Sequence, residues 1–217
     1  MLGNLLIIGD SYSTYEGMIP EGYAVYYSKE GRGDPEFMVT KMELEDTWWM
    51  RLINATGATL AQNNSWSGST LCYTGYSGDC SHTSSFIYRY RQLKDAGFFK
   101  ENKIDTVLVF GGTNDSWANA PLGELKYDGF EEGDLFSVLP AFCYFMKTLK
   151  EDLPTAKIVF IANCDIKCEI VEGIKTAGQY FGVETVALHD ITKEHGHPNV
   201  QGMSEICQQV LMGINEK

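Results

Sequence analysis

Five short stretches of the chain are apolar almost throughout: Leu5–Gly9, Ala58–Asn63, Thr106–Phe110, Lys157–Ala162 and Glu184–Leu188. A strand with one face in water alternates apolar and polar residues, whereas a strand covered on both faces does not. The five runs therefore predict parallel strands buried between two layers. Between them, apolar residues recur at helical spacing. One helix is predicted from about Thr47 to Thr56, with Asp46 as its N-cap and Gly57 as its stop. A second spans Ser84 to Ala96 and ends at Gly97. A third starts behind Asp134, sets Leu135, Val138, Leu139, Phe142, Phe145, Met146 and Leu149 at helical spacing, and stops before Pro154. The fourth covers Glu169 to Phe181, and the last covers Val200 to Ile214.

Strands alternating with helices predict an α/β fold, a parallel sheet with right-handed crossovers and helices on both faces. No repeat or domain boundary interrupts the pattern, so residues 1–217 read as a single domain. The long interruption from Tyr12 to Glu45 holds Tyr15, Tyr23, Tyr26, Tyr27 and Phe37. A segment of this length without an element of its own reads as a lid or pocket wall. In open parallel sheets, ligands bind beyond the carboxyl ends of the strands, near the switch in strand order.

Bulk composition narrows the partners. The chain has 217 residues, 44% hydrophobic and 21% charged, which suits one well-filled soluble core. A net charge of −12 argues against nucleic acid and against an anionic membrane, because both need a basic face. No apolar run approaches the ~20 residues that span a bilayer. Leu2 to Gly9 is too short for a signal peptide and lacks a basic start, so a cytoplasmic location is expected; a chain with its leader removed would read alike. Cys143, Cys164 and Cys207 sit in apolar surroundings and read as core residues. Cys72 and Cys80 flank a glycine-rich loop and could bridge in an oxidising compartment, but the cytoplasmic reading leaves them as thiols. Cys164 and Cys168 have no second pair at zinc-finger spacing, so neither a metal nor a cofactor is expected.

Four polar clusters fall at predicted strand ends: Gly9-Asp10-Ser11-Tyr12-Ser13, Asn63 to Ser69, Gly111-Gly112-Thr113-Asn114-Asp115, and His195-Gly196-His197-Pro198-Asn199. Acyl transfer needs a nucleophile, a base and donors aimed at the developing oxyanion. Ser11, at a sharp turn after the first strand, is the candidate nucleophile, and His197 is the candidate base. The backbone N–H groups of Ser11 and Gly68 and the Asn114 amide are the candidate oxyanion donors. Glycine at position 68 lets the backbone approach a substrate closely.

These residues carry a resemblance. The sequence resembles the SGNH (GDSL-type) hydrolases through Ser11 in GDS, Gly68 in NSWSG, Asn114 in GGTND and His197 in HPN, in that order and over essentially the whole chain. The resemblance implies a three-layer α/β/α sandwich with a five-stranded, flavodoxin-like parallel sheet, and it implies the roles just given. The family usually places Asp three residues before the catalytic His. Here Glu194 holds that position; it is preferred as the third member, with Asp190 and a backbone carbonyl as alternatives.

Other residues receive plainer readings. His195 is expected to face solvent, and His189 to be a satisfied core residue. Asp10 and Asp115 are expected to hold loops through backbone donors. Asp10 and Trp117 are also placed at the substrate pocket, while Trp48, Trp49 and Trp66 read as packing. The expected function is hydrolysis of a small ester through an acyl-serine intermediate, with an O-acetylated carbohydrate as the favoured substrate. An acyl thioesterase or lysophospholipase is the nearest alternative. A non-catalytic small-molecule binding module is the alternative of another class; as a phosphate binder it is disfavoured by Asp10.

Overall fold

Residues 2–31 and 40–215 are described by the computed structural model; Phe37, one of the aromatics expected in the pocket wall, lies outside them. The five predicted strands form one parallel sheet: β1 (Asn4–Gly9), β2 (Thr59–Ser65), β3 (Thr106–Gly111), β4 (Lys157–Ala162) and β5 (Glu184–Ala187). Their spatial order is β2-β1-β3-β4-β5. The chain leaves β1 toward one edge and returns to its other side at β3, which makes the flavodoxin-like order and puts the switch point between β1 and β3.

Successive side chains of a strand point to opposite faces, and that alternation divides the core in two. Leu6, Ile8, Val107, Val109, Ile158 and Phe160 enter one cluster with α2 (Phe86–Asp95), α3 (Val138–Asp152) and α4 (Cys168–Phe181). Leu5, Ile7, Leu108, Phe110, Val159 and Ile161 enter the other, with α1 (Trp48–Thr56) and α5 (Val200–Asn215). The result is a three-layer α/β/α sandwich. Every position of β3 is buried, whereas the outer strands β2 and β5 are only partly covered.

Several element boundaries move from their expected places. Thr47, not Asp46, caps α1, accepting a hydrogen bond from Met50 N, while Asp46 instead pairs with Arg51. Gly57 ends that helix in the left-handed conformation, φ 68°. The predicted third helix is two pieces, a 3-10 turn at Glu132–Phe136 and then α3, separated by extended Ser137. The sheet ends at Ala187, so His189 is exposed beside Asp190 rather than held in a core strand. Trp48 and Trp49 are fully buried, and Trp66 packs against Tyr23 with the rings tilted by 37°. Cys143 and Cys207 are buried as expected, but Cys164 is only partly so, and all six cysteines are free. No helix among the described residues is long and apolar enough to cross a membrane.

Candidate active site

At the carboxyl end of the sheet, Gly9 of β1 lies in register with Ser65 of β2 on one side and Phe110 of β3 on the other. Whatever follows these three residues is therefore brought together. After β1, Asp10 Oδ1 accepts from Tyr12 N at 3.0 Å and starts a 3-10 turn, Ser11–Ser13. After β2, Trp66 N donates to Gly9 O, and the chain turns at Gly68 with φ 79°, a conformation that favours glycine. No atom would crowd a side chain there, so backbone conformation and not space demands the glycine. After β3, Gly112 (φ 96°) opens a short helix, Thr113–Trp117, which carries Asn114.

The candidate base arrives on a separate device. Lys193–Glu194 and His197–Pro198 form a two-stranded antiparallel hairpin whose two-residue loop, His195-Gly196, has positive φ at both positions. Type I′ hairpin turns have that signature. His195 is thereby left exposed at the tip. His197 Nε2 lies 2.9 Å from Ser11 Oγ. The other ring nitrogen, Nδ1, lies 3.3 Å from His195 O. A carbonyl can only accept, so the proton belongs on Nδ1, and Nε2 is left free to accept from the Ser11 hydroxyl.

The expected acidic partner is not at the imidazole. Glu194 Oε1 accepts from Asn199 Nδ2 at 3.0 Å, and Asp190 sits 3.2 Å from His189 Nδ1 with its side chain almost wholly exposed. The third alternative, a backbone carbonyl, occupies the place beside Nδ1. The reason is geometric: the turn uses the spacing between Glu194 and His197 to reverse the chain, and Asn199 captures the carboxylate.

The remaining parts are tightly held. Asn114 Nδ2 donates to Ser69 O at 3.0 Å and keeps a second N–H, while Tyr76 Oη donates to Asn114 Oδ1 at 2.9 Å, which fixes the direction of the amide. Buried Asp115 accepts from Leu71 N and Cys72 N and so anchors the loop behind Gly68. Asp10 does not line a pocket as expected, because it is fully buried beneath the turn that it caps. Its Oδ2 has no partner in hydrogen-bond geometry. Trp117, 41% exposed, stands edge-on to the His197 ring at 5.8 Å.

Burial dominates the electrostatics. It pushes the Asp10 carboxyl up to about 7, against the pull of Tyr12 N–H, a nearby Thr113 hydroxyl and Arg89. Burial also pushes His197 down to about 4; the His195 carbonyl opposes this and Lys193 adds to it. The two have opposite consequences for stability. The His197 contribution is fully present above the unfolded value near 6.5 and is lost as pH falls through about 4. The Asp10 contribution is fully present below 3.8 and is lost as pH rises through about 7.

Sequence reasoning missed three contributors. Tyr12 and Tyr27 bind the hairpin that carries His197 by their hydroxyls, Tyr12 to Gly196 O and Tyr27 to Pro198 O. Arg89 is wholly buried and bonds to Gly9 O, Asn64 and Ser69 Oγ, tying the ends of β1 and β2 to the Gly68 turn. A signal for it was present, since Arg89 interrupts the apolar face of α2 between Phe86 and Leu93. Among the described residues, no group of three or more His, Cys, Asp or Glu is placed to hold a metal ion.

Comparison with known proteins gives a consistent family. A family model described as GDSL-like lipase/acylhydrolase matches residues 3–214. A crystal structure of a protein described as a GDSL-like lipase from Bacteroides uniformis is 41% identical, with a TM-score of 0.86 over 99% of this chain and 96% of that one. Another so described, from Bacteroides ovatus, is 33% identical, with a TM-score of 0.89 over the whole of both chains. An acetyl xylan esterase from Butyrivibrio proteoclasticus shares the fold at 21% identity, with a TM-score of 0.60 over 97% of this chain and 62% of that one. No curated protein matches the sequence.

Proposed function

The chain belongs to the GDSL-like lipase/acylhydrolase family, and from that premise we propose that it is a serine ester hydrolase working through an acyl-serine intermediate. The observation that carries this reading is the 2.9 Å contact between His197 Nε2 and Ser11 Oγ, at the strand ends that also present Gly68 and Asn114. His197 takes the proton of Ser11 as Oγ attacks the ester carbonyl. The tetrahedral oxyanion is met by Ser11 N–H, Gly68 N–H and the free N–H of Asn114 Nδ2. His197 then gives its proton to the departing alkoxide, and the C–O bond breaks to leave the acyl-enzyme. Water repeats the sequence: His197 takes its proton, hydroxide adds to the acyl carbon, and Ser11 leaves with the proton returned. His195 O holds the Nδ1 proton throughout, in the role that a carboxylate fills in a triad.

The substrate proposed is a small O-acyl ester, foremost an O-acetylated carbohydrate. The acetyl xylan esterase that shares the fold supports this choice by likeness. So do two pockets beside the site. One of about 220 Å³ is lined by Gly68, Gly75, Tyr76, Ser77, Asp79 and Ser84, and one of about 180 Å³ lies by Tyr26, Glu194, His197 and Asn199. Both are small for a long acyl chain, and the first carries polar groups suited to hydroxyls. Turnover of p-nitrophenyl acetate is expected to exceed that of the octanoate by at least ~10-fold in kcat/KM. A preference for octanoate would move the assignment to a lysophospholipase or long-chain thioesterase.

The buried base also sets a pH profile. An imidazole pushed down to about 4 stays neutral, and competent as a base, well below the usual histidine range. The acid limb of kcat/KM for a soluble acetyl ester is therefore expected near pH 4, with a plateau above it. A limb at 6.5 or higher would mean that the imidazole is paired with a carboxylate or open to water.

A further inference from the structure

The base has a peculiarity that the catalytic cycle must accommodate. Imidazolium forms each time His197 takes a proton, yet no carboxylate stands within hydrogen-bond reach of its ring among the described residues. Its surroundings are aromatic. The Tyr26 ring lies parallel to the imidazole, 3.7 Å between centroids and 11° between planes. Tyr12 is tilted against the ring at 5.3 Å. The chain on either side of His197 is held as well, by Tyr12 Oη on Gly196 O at 2.6 Å and by Tyr27 Oη on Pro198 O at 2.8 Å. All three tyrosines come from the segment between Ser11 and α1.

We propose that Tyr26 is a positioning residue for His197: its ring fixes the plane of the imidazole, and its π face stabilises the imidazolium formed during proton transfer. This rests on the reading of His197 as the base. The face of an aromatic ring is electrostatically negative and attracts a cation more than a neutral ring. The stack is therefore stronger in the transition state than in the resting enzyme, which is the condition for raising kcat rather than merely tightening binding. The other groups near the ring are placed differently. Ser11 is the proton donor, Tyr12 is tilted at 5.3 Å and Trp117 T-shaped at 5.8 Å, both farther than Tyr26, and Lys193 adds like charge while engaged by Asn163 and Asp165. Glu194, on the same hairpin, is committed to Asn199.

The test uses the full chain with Tyr26→Leu and Tyr26→Phe, measuring kcat and KM for p-nitrophenyl acetate across pH. Tyr26→Leu keeps an apolar cover but removes the π face. It is expected to lower kcat about 3- to 30-fold, and to move the acid limb to lower pH by about 0.4 to 1.5 units. Tyr26→Phe keeps the ring and should rescue kcat to within about threefold of the parent. Unchanged kcat in Tyr26→Leu, or an acid limb displaced upward as simple hydration of the ring would cause, would overturn the proposal. If Tyr26→Leu does not fold, Tyr26→Phe still decides: a loss of tenfold or more would assign the effect to the hydroxyl and sink the stacking argument. Failure of the underlying reading is distinct, since it would appear as parent activity that does not depend on Ser11.

Discussion

Ser11→Ala is expected to lower kcat for an acetyl ester by at least ~10⁴-fold while leaving KM and the folding transition nearly unchanged. The fold should tolerate the change because the turn is held by backbone and neighbouring side chains. Asp10 Oδ1 caps it through Tyr12 N, and both Thr14 N and Thr14 Oγ1 donate to Ser11 O. The lost hydroxyl bonds only the imidazole that is proposed to activate it. Residual turnover would come from the oxyanion donors and substrate binding alone, which in serine hydrolases retain roughly 10³- to 10⁴-fold over water. His197→Ala should cost about as much, and combining the two should cost little more, because nucleophile and base act as a unit. Activity within tenfold of the parent would place the nucleophile elsewhere.

The second large effect falls on stability. Arg89→Met is expected to destabilise the protein by about 3–5 kcal/mol, lowering the melting temperature by roughly 10 °C. A buried charge can sometimes be exchanged for a hydrophobic side chain at no cost, but only where its partners can be replaced too. Here the partners are fixed backbone: Gly9 O, Asn64 O and Ser84 O all accept from the guanidinium, together with Asn64 Oδ1 and Ser69 Oγ. Removing the donor strands carbonyls in a space with no water access, at about 1–3 kcal/mol for each unsatisfied group. Burial pushes Arg89 down to about 10, which still leaves it charged at neutral pH, so the bonds are charge-assisted. Arg89→Lys keeps the charge but lacks the planar fork, so it should recover only a small part of the loss. Urea unfolding of the three proteins checks this; a Met variant as stable as the parent would show the network to be energetically idle.

Much of this molecule is legible in its sequence, for identifiable reasons. Runs such as Val107–Phe110 announce themselves because burial on both faces leaves no polar position. The edge strands are harder to bound: β2 runs on to Ser65 through polar residues, and β5 stops at Ala187, which turns His189 out into solvent. Ser11, Gly68, Asn114 and His197 could be picked out because strand ends must deliver polar residues to one edge of a parallel sheet. What orients His197 was hidden. The spacing from Glu194 is one-dimensional, whereas a hairpin turn sends the carboxylate to Asn199 and presents a carbonyl to Nδ1. Tyr26 reaches the imidazole by a path through a loop, and loops carry no periodicity from which a contact can be read.

Covalent capture reaches the proposed chemistry most directly. A fluorophosphonate reacts with an activated serine and, once bound, places its phosphoryl oxygen where the oxyanion would form. Incubated with the parent protein and digested for mass spectrometry, it should add one label, on the peptide that contains Ser11. Ser11→Ala should take up none, and His197→Ala should be labelled far more slowly. Label on another residue, or none on a folded parent that hydrolyses esters, would remove Ser11 from the centre of the mechanism.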